Sequence, residues 1–106
     1  MKDYIENHYK RLHSPKDYAN LLHISPNALG KIVKSSFNKT LSSLISERII
    51  IEAKRELYLT SKTVDEIASE LGYDDPFYFS RFFKKHTKTS PSVYRKTVGY
   101  NKATDL

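Results

Sequence analysis

Two sets of residues in this chain have the types and spacing to read the edge of a double helix. Asn27, Gly30, Lys31 and Lys34 recur at i, i+3, i+4 and i+7, which puts all four on one side of an α-helix. Phe77, Ser80, Arg81 and Lys84 repeat that pattern fifty residues later. A guanidinium such as that of Arg81 pairs bidentately with guanine O6 and N7, and the Asn27 amide with adenine N6 and N7; Lys31 can donate to guanine acceptors. Phe77 is suited to a thymine methyl, Ser80 to a single hydrogen bond, and Gly30 to close approach of the backbone. Lys34 and Lys84 lie further from the helix starts and, with Lys39, Lys85 and Lys88, have the chemistry of phosphate partners.

Other chemistries find no such constellation. His8, His13, His23 and His86 share no helical face and show no ligand spacing, so no metal is expected. The serines mostly precede helices, and with three glycines the chain has neither a nucleophile elbow nor a phosphate-cradling loop. With no cysteine, thiol catalysis and disulfides are excluded, and a reducing compartment, the cytoplasm, is expected. Neither a catalytic residue nor a cofactor is expected. Of the aromatic cluster Phe77-Tyr78-Phe79 and Phe82-Phe83, three residues fall on an inward face, which favours core packing over single-strand stacking.

The charge distribution agrees with a polyanionic partner. Of 106 residues, 18 are Lys or Arg against 12 Asp or Glu, a formal net charge of +6. The span 27–40 has three lysines and no acid, and the span 81–102 has seven basic residues and no acid. Two separate acid-free segments suggest two contact surfaces. At 39% hydrophobic the chain can bury a core, and its longest apolar runs, such as Ile49-Ile50-Ile51 and Phe77-Tyr78-Phe79, are too short to span a bilayer, so no membrane is expected.

All four prolines follow a capping residue, in Ser14-Pro15, Ser25-Pro26, Asp75-Pro76 and Ser90-Pro91, and each announces a helix. Ser14 with Asp17 and Thr63 with Glu66 have the capping-box offset. Apolar spacing predicts helices over about 2–12, 15–22, 26–36, 41–60, a fifth opening at 64, 76–86 and 91–98. The inward sets are Leu29, Ile32 and Val33 on the third helix, and Phe79, Phe82 and Phe83 on the sixth. On the long fourth helix Ile45, Ile49, Ala53 and Leu57 form one row and Leu44, Ile51 and Tyr58 another, as for a helix packed between two bodies. The expected fold is all-α, with seven helices.

The chain also repeats itself. Ala19-x-x-Leu22 matches Ala68-x-x-Leu71 at an offset of 49, and beyond one extra turn residue the offset is 50, pairing Pro26 with Pro76, Leu29 with Phe79, Lys31 with Arg81 and Lys34 with Lys84. Each copy is a short helix, a tight turn and a second, basic helix, which is the helix-turn-helix plan, at about 15–36 and 64–86. In that plan the second helix enters the major groove. The helix between the copies, at ~1.5 Å per residue, is ~30 Å long, comparable with the ~34 Å between successive major grooves on one DNA face.

Residues Thr63 to Tyr73, followed by Asp75-Pro76-x-Tyr78-Phe79-Ser80-Arg81-x-Phe83-Lys84-Lys85 and Ser90-Pro91-Ser92-x-Tyr94-Arg95, closely resemble the signature of the AraC/XylS family of bacterial transcription regulators. Ile24-Ser25-Pro26, Arg48-Ile49 and Ala53-Lys54 resemble that family's first unit and linker helix, so the likeness covers about residues 12–98. It implies a homeodomain-like DNA-binding domain over 13–99, preceded by an N-terminal helix or linker at 1–12 and followed by a tail at 100–106. Its partner would be double-stranded DNA, bound in adjacent major grooves of an asymmetric promoter site. By position it implies base contact by Asn27, Gly30 and Lys31 in the first unit and Phe77, Ser80 and Arg81 in the second. Relatives often have glycine after each recognition helix, where this chain has Asn38 and Lys88. The resemblance also implies contact with RNA polymerase, and either a missing sensor or dimerisation domain or a small stand-alone regulator. The competing reading is a sequence-tolerant cationic module, an architectural nucleic-acid binder whose affinity is set by salt.

Overall fold

In the computed structural model, which describes residues 1–98, seven helices are present and no strand occurs among the described residues. They are α1 (Lys2–His8), α2 (Pro15–Leu22), α3 (Pro26–Phe37), α4 (Leu41–Leu59), α5 (Val64–Glu70), α6 (Pro76–Thr87) and α7 (Pro91–Val98). The tail expected at 100–106 lies outside the described residues. No helix among them is long and apolar enough to cross a membrane.

Each proline stands first in its helix, where its missing N–H costs no hydrogen bond. The preceding side chains take up the free donors. Ser14 accepts from the Asp17 N–H while Asp17 accepts from the Ser14 N–H, both at 3.3 Å, and Ser25 accepts from Ala28 at 3.1 Å. Thr63 and Glu66 form the same reciprocal box at 3.0 and 2.8 Å. Asp75 accepts from Phe77 at 2.9 Å and Ser90 from Val93 at 3.2 Å. Such caps contribute about 1 kcal/mol each. The expected opening helix is shorter than its apolar pattern: after His8 the chain turns, and the His8 carbonyl accepts from both Arg11 and Leu12.

The described chain falls into two compact units, with the boundary between Ile49 and Ile50 inside α4. In the first, Tyr18, Ala19, Leu29, Val33, Ile45 and Ile49 form the centre of the core. Ile5 and Tyr9 are buried in it too, so the opening segment contributes core to this unit. Arg48 fixes it there: Nε and Nη2 donate to the two Glu6 carboxylate oxygens at 2.8 and 2.9 Å, and the guanidinium lies 4.2 Å from the Tyr9 ring centre.

The second unit has Ala53, Leu57, Ile67, Leu71, Phe79 and Phe83 at its centre. Phe79 and Phe83 sit one turn apart with ring centres 6.1 Å apart, and Tyr94 meets Phe83 edge-on at 5.6 Å. Arg95, from α7, donates through Nε to the Leu57 carbonyl at 3.1 Å and through Nη2 to the Thr60 carbonyl at 3.2 Å. It closes the C-terminal end of α4, where backbone acceptors lack helical partners. Lys62 reaches Glu56 at 3.1 Å and Glu70 at 2.8 Å, tying α5 to the end of α4.

Three expected core positions are corrected. Ile32 is 56% exposed, because the buried stripe of α3 is narrow, centred on Leu29 and Val33, and Ile32 lies about 100° round the helix from Val33. Of the second row on α4, Leu44 is buried but Ile51 and Tyr58 are exposed: the core of the second unit takes the Ala53 and Leu57 side. That stretch of α4 therefore has one buried side among the described residues, not two.

Candidate nucleic-acid interface

The tight turn of each copy is built by the same hydrogen bonds. In the first, Ile24 N–H donates to Ala19 and His23 N–H to Asn20; in the second, Tyr73 N–H donates to Ala68 and Gly72 N–H to Ser69. His23 (φ 58°) and Gly72 (φ 90°) occupy the left-handed region at equivalent places. The pattern is a helix C-terminus closed by a left-handed residue, which turns the chain sharply into the next cap. The recognition helices also end alike, with Asn38 (φ 56°) and Lys88 (φ 73°) left-handed and donating to Lys34 and Lys84 at 2.9 and 2.8 Å. The duplication seen in side-chain types is thus a duplication of backbone.

On α3 the side opposite Leu29 and Val33 carries Asn27, Lys31 and Lys34, all exposed, with Gly30 half-buried between them. They border an open depression of about 520 Å³ whose walls are completed by Pro26 and Ser35. A Cβ added to Gly30 would meet nothing within 4 Å, so neither backbone conformation nor packing within the chain requires a glycine there. On α6 the side opposite Phe79 and Phe83 carries Phe77, Arg81 and Lys84, exposed, and Ser80, half-buried. Phe77 is 74% exposed, the most exposed large apolar side chain among the described residues. Lys85 and Lys88 are exposed beside and beyond this face.

Charge pairing sorts the cations. Among the described residues Lys31, Lys34, Arg81, Lys84, Lys85 and Lys88 are exposed with no carboxylate at ion-pair distance. Arg48, Arg55 and Lys62 pair with Glu6, Glu52 and the Glu56/Glu70 couple, and Arg95 is turned onto carbonyls. Lys39, expected with the phosphate partners, donates to both Glu47 carboxylate oxygens at 3.1 and 3.2 Å. Both side chains of that pair are about half exposed, so it holds Lys39 only weakly. Both α3 and α6 therefore present unpaired cations on their outer faces, as Lys2, Lys10, Arg11, Lys16 and Lys96 do elsewhere on the described surface. No group of His, Asp or Glu that could hold a metal occurs among the described residues.

Sequence reasoning missed one neighbour of this surface. Tyr78, outside the inward set of Phe79, Phe82 and Phe83 and given no role there, is 57% exposed, and the Arg81 guanidinium lies 5.9 Å from its ring centre. The signal was its position, three residues before Arg81 on the same helix.

A family model described as a helix-turn-helix domain matches residues 18–97. The raffinose operon transcriptional regulatory protein RafR of Pediococcus pentosaceus is 31% identical over 91% of this chain and 35% of its own length. The arabinose operon regulatory protein of Escherichia coli is 33% identical over 68% of this chain and 25% of its own length. The chain thus spans about a third or less of the length of these relatives. Among solved structures, the C-terminal domain of AraT, a response regulator from Geobacillus stearothermophilus, superposes with a TM-score of 0.84 at 31% identity, covering 92% of this chain and 82% of that one. These proteins are regulators. With its duplicated helix-turn-helix, its cationic second helices and these likenesses, the chain belongs to the AraC/XylS family and is a DNA-binding domain of a transcription regulator.

Proposed function

We propose that this domain binds an asymmetric duplex site as a single copy, with α3 in one major groove and α6 in the next, and activates transcription from the promoter so marked. The observation that carries this reading is the repetition: two turns with the same hydrogen bonds, each followed by a helix whose outer face holds unpaired cations. One helix-turn-helix reads one groove, and two non-identical ones in a single chain need no palindrome. The nineteen residues of α4 give a helix of roughly 28 Å, near the groove repeat of ~34 Å. A shortfall would be met by bending the DNA, at a cost of about 1–6 kcal/mol that depends on sequence.

In this reading Asn27, Lys31, Phe77, Ser80 and Arg81 contact bases and Gly30 admits the backbone to the groove floor. Lys34, Lys84, Lys85 and Lys88 hold phosphates, and Lys39 joins them on exchanging Glu47 for a phosphate oxygen. The protein acts in the cytoplasm, where bacterial promoters are, and meets RNA polymerase through residues outside the two faces. The greater length of the relatives supports a sensor or dimerisation domain in the whole regulator.

Selection of bound duplexes from a random pool tests this directly. The expected product is one asymmetric site with two short preferred blocks about one helical turn apart. No enrichment, with binding that vanishes steeply in salt, would replace it by the sequence-tolerant cationic module. Transcription in vitro from a promoter bearing the selected site then separates activation from repression.

A further inference from the structure

The geometry points to Tyr78 as a positioning residue that holds the Arg81 guanidinium ready for its base. This rests on the reading of α6 as a base-contacting helix. Arg81 is exposed and, among the described residues, has no carboxylate at ion-pair distance, yet its guanidinium lies over the Tyr78 ring. The guanidinium carbon is 5.9 Å from the ring centre, and a cation attracted there by the ring, with no carboxylate on its N–H groups, keeps those donors free for a bidentate guanine contact. Tyr78 is itself held. Its ring stacks on Tyr73 at 6.0 Å with an interplanar angle of 27°. Tyr73 is buried, its N–H bonded to Ala68 in the tight turn, and its ring rests 5.4 Å from Phe79 and 5.8 Å from Phe82. A continuous aromatic series therefore runs from the fully buried Phe79 to the exposed Arg81.

The first unit is an internal control. At the positions equivalent to Tyr78, Phe82 and Arg81 it has Ala28, Ile32 and Lys31, and both Ala28 and Ile32 are exposed. There the cation has no ring beneath it, and the flexible lysine must be ordered when it meets DNA. The unit with the aromatic series is thus built for the sharper base preference.

The test compares the intact chain with Tyr78→Phe, Tyr78→Leu and Arg81→Ala, using the selected duplex and duplexes carrying each other base pair at the position where Arg81→Ala abolishes preference. Thermal unfolding confirms that each variant is folded. Tyr78→Phe keeps the ring and should keep the discrimination. Tyr78→Leu keeps apolar bulk without the π face and should lower discrimination at that base pair by about three- to fivefold, the effect of losing one exposed cation–π contact. Its salt slope should stay unchanged, because no phosphate contact is lost. Full discrimination in Tyr78→Leu would overturn the positioning role while leaving Arg81 as a base reader. Equal weakening of Arg81→Ala on every sequence would overturn the base-reading assignment and the positioning role together.

Discussion

Asn38 and Lys88, fifty residues apart, end the two recognition helices in the same left-handed backbone conformation, each donating its N–H to a lysine carbonyl four residues back. Asparagine adopts this conformation readily, whereas the Cβ of lysine meets the following carbonyl at a cost of roughly 1–2 kcal/mol. Lys88→Gly should therefore raise stability by about 0.5–1 kcal/mol, the relieved strain less the extra entropy of an unfolded glycine. If Lys88 also holds a phosphate, the same variant should bind DNA less tightly with a salt slope smaller by about 1. Unfolding midpoints and binding at two salt concentrations read the two effects separately.

Gly30 offers a second separation of folding from binding. It lies inside α3, where glycine costs about 0.5–1 kcal/mol relative to alanine, and the space around it is open. Gly30→Ala should stabilise the domain by about that amount while reducing affinity for the selected site, because the added methyl keeps the backbone from the groove floor. A more stable variant with unchanged affinity would remove Gly30 from the contact face.

Arg95 carries the opposite expectation. It belongs to an acid-free basic segment and would pass for a phosphate partner, but it holds the carbonyls of Leu57 and Thr60. Arg95→Ala should cost about 1–3 kcal/mol in stability by leaving part-buried acceptors without partners. Arg95→Lys should recover little, since an ammonium cannot span both carbonyls as the planar fork does. At a temperature where the variant stays folded, its DNA affinity and salt slope should match those of the unaltered chain.

The acid side of the stability profile should report Glu6 and Glu66. The hydrogen bonds from Arg48 hold the Glu6 carboxyl below its usual value of 4.5, and the Thr63 backbone N–H, followed by its side chain, does the same for Glu66. A carboxylate whose folded-state value is depressed contributes stability above the unfolded value and loses it as pH falls through the folded one. Stability should thus decline below about pH 4.5, and Glu6→Gln should make the decline shallower while lowering stability at neutral pH. Denaturant midpoints between pH 3 and pH 7 measure this; identical slopes for both proteins would mean that the Glu6–Arg48 fork is not kept in solution.

The helices and their duplication were legible because local rules set them: a capping residue before each proline, apolar recurrence, and one pattern repeated at offsets of 49 and 50. The two exposed faces proposed for DNA were legible as faces for the same reason, since spacing alone gathers Asn27 with Lys31 and Phe77 with Arg81. What escaped depends on contacts distant in sequence. Ile32 is apolar and in register, but the width of a buried stripe is set by what packs against it. Arg95 looked like surface charge until the end of α4 was placed beside it. Tyr78 falls outside the inward set of Phe79, Phe82 and Phe83, and only the turn holding Tyr73 shows that it lies on the way out to Arg81.

In the proposed function α3 and α6 engage one face of a duplex together. Affinity for the selected site should be compared with that for the same site carrying about five extra base pairs between its two blocks, half a helical turn that moves one block to the far side. Binding should fall to the level of a duplex holding a single block. Undiminished affinity for the expanded site would contradict simultaneous engagement and leave two independent helix-turn-helix units on one chain.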